Sequence, residues 1–417
     1  MSIQYQNCLI AQSGGPTVAI NASLAGILSA SRASGKIGRI YGALNGIQGV
    51  LSERFLELDA LLTAAPDGFL TALKHSPAMY LGSCRYKLSD PDTPSSDYAA
   101  IFSVLERLQI GYFFYIGGND SMDTIKKLSH YGALHHSPIR FMGVPKTIDN
   151  DLPATDHAPG YGSAARHIAA SVLEMAYDTY IYNTPSVLII EIMGRDAGWL
   201  AAASALARTK DSRAPHLIYL PERNFSNEAF LSDIKGLLSR QKHIVVAVSE
   251  GIRYADGSYV SADTAAKDQF GHATLNGAGK FLEHFIACEI GCKVRSVELN
   301  ILQRCAAHLA SSTDLDESFR LGEAALNGAL EGRSGQIPVI LRLSDNPYQI
   351  QLAYTSLDEI ANQEKHVPSE WINEAGNDVT NDFIQYALPL IQGIPQPVPN
   401  WENGLPVFPS VCHLLQT

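Results

Sequence analysis

The stretch Gly143-Val144-Pro145-Lys146-Thr147-Ile148-Asp149-Asn150-Asp151 gathers a cation, a hydroxyl and two carboxylates spaced i, i+2 into nine residues. A carboxylate can take a proton from a substrate hydroxyl, and an ammonium can neutralise a phosphate that is being transferred. Apolar Phe141 and Met142 come just before. A strand ending here would present Lys146, Thr147, Asp149 and Asp151 at its carboxyl edge, where open α/β sheets bind ligands. Asp and Asn are also ordinary turn residues, so the stretch alone suits a solvated turn as well as an active site.

Other polar groups recur at the ends of apolar runs. Asn7 to Ala11 reads as a buried strand, followed by Gln12-Ser13-Gly14-Gly15-Pro16-Thr17 and a small-residue helix from Val18 to Ala33. Tyr112 to Ile116 reads as a central strand, followed by Gly117-Gly118-Asn119-Asp120-Ser121 and a second helix. Strand, glycine turn and helix make a ready anion site, because backbone N–H groups and the helix N-terminus face the loop. Asp120 and Asp123 suit helix caps; Asp120 also suits a metal or a pocket wall. The turn Tyr80 to Lys87 carries Arg85, a phosphate ligand or a plain surface arginine. Val187 to Ile192 runs into Met193-Gly194-Arg195, and His243 to Ser249 into Glu250. Lys293 to Asn300 is a further strand candidate, with arginines at 295 and 304.

Positioning these groups requires alternating strands and helices, which argues for doubly wound α/β domains. The chain has 417 residues, 46% hydrophobic and 18% charged, enough for two or three domains. A net charge of −11 argues against non-specific nucleic-acid or anionic-membrane binding. No stretch approaches a membrane span. Six scattered cysteines (8, 84, 288, 292, 305 and 412) form no metal-ligand pattern and read as free thiols in a reducing cytoplasm. The dinucleotide fingerprint G-x-G-x-x-G is absent, which makes a nicotinamide-dependent oxidoreductase remote.

Taken in order from about Asn7 to about Arg304, these motifs resemble the phosphofructokinase family, and within it the pyrophosphate-dependent branch. The matching residues are the first glycine turn, Gly82-Ser83-Cys84-Arg85, Gly117-Gly118 to Ser121, Pro145 to Asp151, Met193 to Arg195 and the late arginines. The resemblance implies two Rossmann-like three-layer domains with the active site in the cleft between them. Residues 1–160 would form the donor-side domain, completed by part of 303–417, and 161–302 the sugar-phosphate domain. It implies an Mg2+-dependent, reversible transfer of phosphoryl from diphosphate to the 1-hydroxyl of fructose 6-phosphate. Asp149 would be the base, with Lys146, Thr147, Asp151 and Arg195 completing the catalytic set. Gly14, Arg85, Tyr86, Gly118, Asp120, Ser121 and Lys146 would bind diphosphate. Thr147, Asp149, Met193, Gly194, Arg195, Glu250, Arg295 and Arg304 would bind the sugar phosphate, and Asn119 would touch the metal. A homodimer or homotetramer with shared active sites is implied, because one or more of the arginines comes from a neighbouring subunit in this family.

Donor choice rests on Asp120 and Lys146, where ATP-dependent members typically carry glycines. A carboxylate at 120 would repel an α-phosphate, and Lys146 would meet the phosphate left behind. That ranks ATP dependence second. Three departures bear on the rest. Asn119 stands where most members have an aspartate, Ser186 where ATP-dependent enzymes have a sugar-phosphate arginine, and Ile301 where they have a histidine. The acceptor pocket is thus less basic, which leaves sedoheptulose 7-phosphate open as an alternative acceptor. A non-catalytic regulatory subunit is the remaining alternative, disfavoured by the intact Thr147, Asp149, Asp151 and Arg195. The segment after about Pro338 carries no expectation beyond packing.

Overall fold

The computed structural model describes residues 6–64, 66–93, 96–260, 277–396 and 401–415. Its first sheet is built on β1 (Asn7–Gln12), β2 (Ile40–Ala43), β3 (Phe55–Glu57), β4 (Ile110–Gly117) and β5 (Arg140–Pro145). The second contains β6 (Ser186–Ile192), β7 (Leu217–Tyr219), β8 (His243–Ser249) and β9 (Lys293–Glu298). A late hairpin, β10 (Gln336–Asp345) and β11 (Tyr348–Ser356), returns to the first sheet, giving the order β11-β10-β5-β4-β1-β2-β3. The second sheet runs β7-β8-β6-β9, all parallel.

The apolar runs are continuous because both faces of these strands are covered. In the first sheet Cys8, Ile10, Phe114, Ile116, Met142 and Val144 pack against the helices Ile20–Ser34 and Ser312–Leu330. The alternate residues Leu9, Ala11, Phe113 and Tyr115 pack against the helices Ser96–Arg107 and Asn119–Leu134. In the second sheet Leu188, Ile190 and Val245 meet the helix Tyr161–Tyr180, whereas Val187, Ile189 and Val246 meet Asn227–Leu238 and Ala278–Ile290. Two three-layer α/β units result.

Each sheet has a switch point, where successive connections leave in opposite directions and open a crevice at the carboxyl ends. In the first it lies between β1 and β4, so the loops at 13–18 and 118 adjoin. In the second it lies around β6, so the loops after β6, β8 and β9 adjoin.

Element ends follow local chemistry. The helix expected at 18–33 runs Ile20–Ser34, because Thr17 Oγ1 accepts from the Ala19 and Ile20 amides, and Gly35 closes it at φ 61°. The helix Tyr161–Tyr180 begins where the buried Asp314 carboxylate accepts from the Gly160 and Ser163 amides at 2.8 and 3.0 Å. After Gly198 comes a short helix, Trp199–Ala203, which tightens to a 3-10 turn over Ser204–Ala207. Asp314 lies on the helix Ser312–Leu330, which makes backbone contact with Ile20–Ser34. A Cβ at Gly26 would overlap the Phe319 carbonyl, and one at Gly322 the Ser23 carbonyl.

Overpacking a closed contact typically costs about 1–3 kcal/mol. Gly26→Ala and Gly322→Ala are each expected to lower stability by that amount, read from urea midpoints. A loss below about 0.5 kcal/mol, the range of neutral surface changes, would show that the two helices can separate freely.

Candidate active site

The loop from Lys146 to Gly160 leaves β5 and is pinned at both ends. Lys146 N donates to Gly117 O at the end of β4, and Thr147 N to Pro159 O, each at 3.0 Å. Thr147 Oγ1 accepts from Asp149 N at 3.1 Å. Asn150, in the left-handed region at φ 54°, turns its amide inward to Tyr386 Oη at 2.8 Å, and its oxygen accepts from Ala158 N at 2.9 Å. Asp149 and Asp151 therefore emerge on the opposite side, into the cleft.

Burial and mutual repulsion hold the Asp149 carboxyl above the ordinary carboxylate range, while Arg304, Lys146 and Thr147 pull it back. Burial likewise raises Asp151. A carboxylate with a raised pKa is a better proton acceptor than an exposed aspartate. The Lys146 ammonium lies beneath the first glycine turn and donates to Gly15 O at 2.7 Å. Burial lowers its pKa to about 8, opposed by Asp149 and Asp151. Gly14, at φ 84°, leaves just enough room: a Cβ there would sit 3.0 Å from Lys146 Nζ.

The second glycine turn closes the same side. Gly118 caps the helix Asn119–Leu134, and Asp120 stands exposed in its first turn. Neither Asp120 nor Asp123 caps it: Asp123 instead binds Lys127 at 2.6 Å and Asn362 at 2.9 Å, away from the cleft. Ser121 is buried, with an Oγ that finds no partner. Asn119 Nδ2 donates to Asp151 Oδ2 at 3.3 Å, leaving Asn119 Oδ1 and Asp151 Oδ1 buried without partners. Among the described residues no group of three or more His, Cys, Asp or Glu could hold a metal. On the loop before β4, Ser83 Oγ bonds Gly14 O at 2.8 Å and Arg85 is exposed. Tyr86 turns aside to Asp97 Oδ2 at 2.7 Å and lines a separate cavity of about 440 Å3 with Asn45 and Arg54.

From the second sheet come the loops after β6 and β8. Glu250 Oε1 accepts from Gly194 N at 3.3 Å, and burial raises its pKa to about 7. Gly194, at φ 140°, has no space for a side chain, since a Cβ would meet Ala197 O at 2.6 Å. Met193 and Arg195 are half-buried beside it. Electrostatic coupling links Glu250 to both Asp149 and Arg195, so this loop faces the loop that carries Asp149. Arg304, after β9, acts on Asp149 and Lys146, placing its charge near both. Arg295 is not brought into this cluster. It pairs with Leu188 on β6, five residues before Met193, roughly 16 Å at about 3.3 Å per residue. Its guanidinium faces Asp178 at 3.7 Å and the Tyr182 ring at 6.0 Å.

Several residues that shape the site carry no motif. Lys365 Nζ donates to Thr155 O and Asp156 O at 3.0 and 2.8 Å. His157 is buried between Asp156 and Glu317, at 2.7 and 2.6 Å. Although burial disfavours its charge, Glu317 and Asp156 raise its pKa to about 9. Arg342 pairs with Asp156 at 2.8 Å.

Two glycine turns with a buried cation, a raised carboxylate and a facing arginine loop, set between two parallel sheets, define an α/β phosphotransferase. A sequence model of the phosphofructokinase family matches residues 7–328, and the chain belongs to that family. It is 41% identical to a pyrophosphate–fructose 6-phosphate 1-phosphotransferase of Halomonas elongata, over 96% of this chain and 94% of that one. It is 42% identical to a protein of the same name from Xanthomonas campestris pv. campestris, over 98% and 96%. A pyrophosphate-dependent phosphofructokinase from Nitrosospira multiformis superposes with a TM-score of 0.86 at 37% identity, over 97% of this chain and 95% of that one.

Lys146 is protonated at neutral pH and loses its charge as pH rises through about 8. Affinity for diphosphate, measured by calorimetry, is expected to fall across that range, and Lys146→Met should weaken binding and flatten the alkaline limb. An unchanged limb in the variant would remove Lys146 from the donor site.

Proposed function

We propose that the chain is a pyrophosphate-dependent 6-phosphofructokinase, acting reversibly on fructose 6-phosphate and diphosphate. The observation that carries this reading is the Lys146 ammonium, seated beneath Gly14 and Gly15 and next to Asp149. A cation there meets a short donor at the phosphate that leaves. The exposed Asp120 on the opposite turn puts a negative charge where a nucleotide's extra phosphate would run.

Asp149 accepts the proton of the sugar 1-hydroxyl as that oxygen bonds to the attacked phosphorus. The bridging P–O bond breaks, and orthophosphate leaves toward Lys146. Thr147 orients Asp149, while Met193, Gly194, Arg195, Glu250 and Arg304 hold the sugar phosphate on the facing side. Two turns of backbone N–H groups at Gly14 and Gly118, with Arg85, Asp120 and Ser121, cradle the donor.

The partnerless Asn119 Oδ1 and Asp151 Oδ1 fit a hard divalent cation such as Mg2+, which takes one or two protein oxygens and completes its shell with phosphate and water. Bound there, it would neutralise phosphate charge. Tyr86, bonded to Asp97 and lining the separate cavity with Asn45 and Arg54, stands apart from the phosphate contacts.

Arg295 lies too far along β9 for its own sugar site, and Val297, Ile301 and Leu302 beside it are exposed. A homodimer or homotetramer that lends Arg295 to a neighbouring site accounts for both. Among the described residues no helix is long and apolar enough to cross a membrane, and the described cysteines are free. Both suit a cytoplasmic enzyme.

With fructose 6-phosphate and a magnesium salt, purified protein is expected to form fructose 1,6-bisphosphate from diphosphate and not from ATP. Product from ATP alone would overturn the donor reading. Asp149→Ser should cut turnover by about 10²–10⁴-fold, the usual worth of a general base, with sugar-phosphate binding retained. Activity within a few fold of wild type would remove Asp149 from that role. Asp120→Gly combined with Lys146→Gly should weaken diphosphate use; unchanged diphosphate kinetics would refute the donor argument.

A further inference from the structure

Between β11 and the helix Asn381–Ala387 the chain crosses from one half-site to the other. Lys365 N donates to Asp151 O at 2.7 Å, and its ammonium to the carbonyls of Thr155 and Asp156. Its own carbonyl accepts from Trp199 Nε1 at 2.8 Å, and its ammonium lies 5.1 Å from the centre of the Trp199 ring. His366 Nδ1 is 3.1 Å from Asp196 O. Val367 N donates at 3.0 Å to Glu222 Oε1, the same oxygen that accepts from Gly198 N at 2.8 Å. Three consecutive residues thus bond the loop 149–156, which leaves the first sheet, and the loop 193–199, which leaves the second.

We propose that residues 365–367 form a strap that sets the distance between the two half-sites, and that Lys365 is a positioning residue for phosphoryl transfer. The inference rests on the reading that Asp149 and Arg195 face one another across the reacting groups. By holding the carbonyls of Asp151, Thr155 and Asp156 together, Lys365 fixes the curvature of the loop that carries Asp149. Through Trp199, Asp196 and Glu222 the same strap fixes the loop that carries Arg195. Packing alone does not call for an amine here. Burial pulls the Lys365 pKa down to about 8 against the support of Asp156 and Asp151, so the charge is held at a cost. Three donors on one flexible stem let it gather two carbonyls that a methionine of similar reach would leave unbonded.

Phosphoryl transfer depends mainly on positioning, and a displacement of about 1 Å can cost about 10²-fold in rate. Lys365→Met is expected to lower kcat by about 10- to 100-fold, with KM for diphosphate and fructose 6-phosphate changed less than about threefold. Glu222→Ala opens the other end of the strap and should lower kcat likewise. The double variant should be little worse than the poorer single, because both release one element. Lys365→Arg, which keeps the charge and donors, should recover part of the loss. Wild-type kcat in Lys365→Met, a raised KM with kcat intact, or fully additive losses would overturn the proposal. A substrate-free measurement separates it from the reading of the reaction. Amide hydrogen exchange in either single variant should rise in both 149–156 and 193–199. A rise confined to the loop nearest the substitution refutes the strap even if the wild type turns over diphosphate. A rise in both loops upholds it even if the wild type is inactive with that donor.

Discussion

Burying charge at the end of β5 is the constraint on which the molecule depends. Lys146, Asp149 and Asp151 are useful because water is largely kept from them, which raises the carboxyls and lowers the amine. A loop withdrawn from water must find partners for its other polar groups. Asn150 finds Tyr386 and Ala158, Asp156 finds His157 and Arg342, and the Asp151, Thr155 and Asp156 carbonyls find Lys365. The back of the loop is saturated with bonds so that its front can present two aspartates to the cleft. His157, charged between two carboxylates, anchors this arrangement to Glu317 and hence to the helix Ser312–Leu330.

The same helix ties the loop to the first glycine turn. It contacts the helix Ile20–Ser34 through Gly26 and Gly322, and that helix follows directly from the turn at Gly14 and Gly15. Shifting one helix against the other would shift the glycine turn against the Lys146 ammonium, which it meets at 2.7 Å. Tight helix packing some distance from the cleft is therefore part of how the glycine turn keeps its place over Lys146.

Much of this was legible in the sequence, and the physical reason differs from feature to feature. The strands β1, β4, β5, β6 and β8 announce themselves because a parallel strand covered on both faces must be apolar throughout. Their polar carboxyl ends, from Lys146 to Asp151 and from Met193 to Arg195, are continuous in the chain, so the type and order of residues carry the signal. β11 gave none: Gln349 and Gln351 face outward on an antiparallel edge, and no uniform apolar run exists to find. Asp123 looked like a helix cap because position alone allowed it; Lys127 one turn on and Asn362 claimed it instead. Lys365, Glu222 and Tyr386 were illegible for another reason. Their main partners are backbone amides and carbonyls or residues far along the chain, and backbone groups are the same at every position.

The hairpin β10–β11 has a consequence for how the molecule is made. During synthesis β5 emerges as an open edge of the first sheet, with its parallel neighbour still almost two hundred residues away in the chain. An unpaired apolar edge is prone to wrong pairing. The second sheet closes within 186–298, but its core also takes Val367, Ile372, Phe383 and Tyr386, so the second unit too is completed by the late segment. The loop that carries Asp149, formed early in the chain, acquires its lasting shape only once residues 336–386 have arrived.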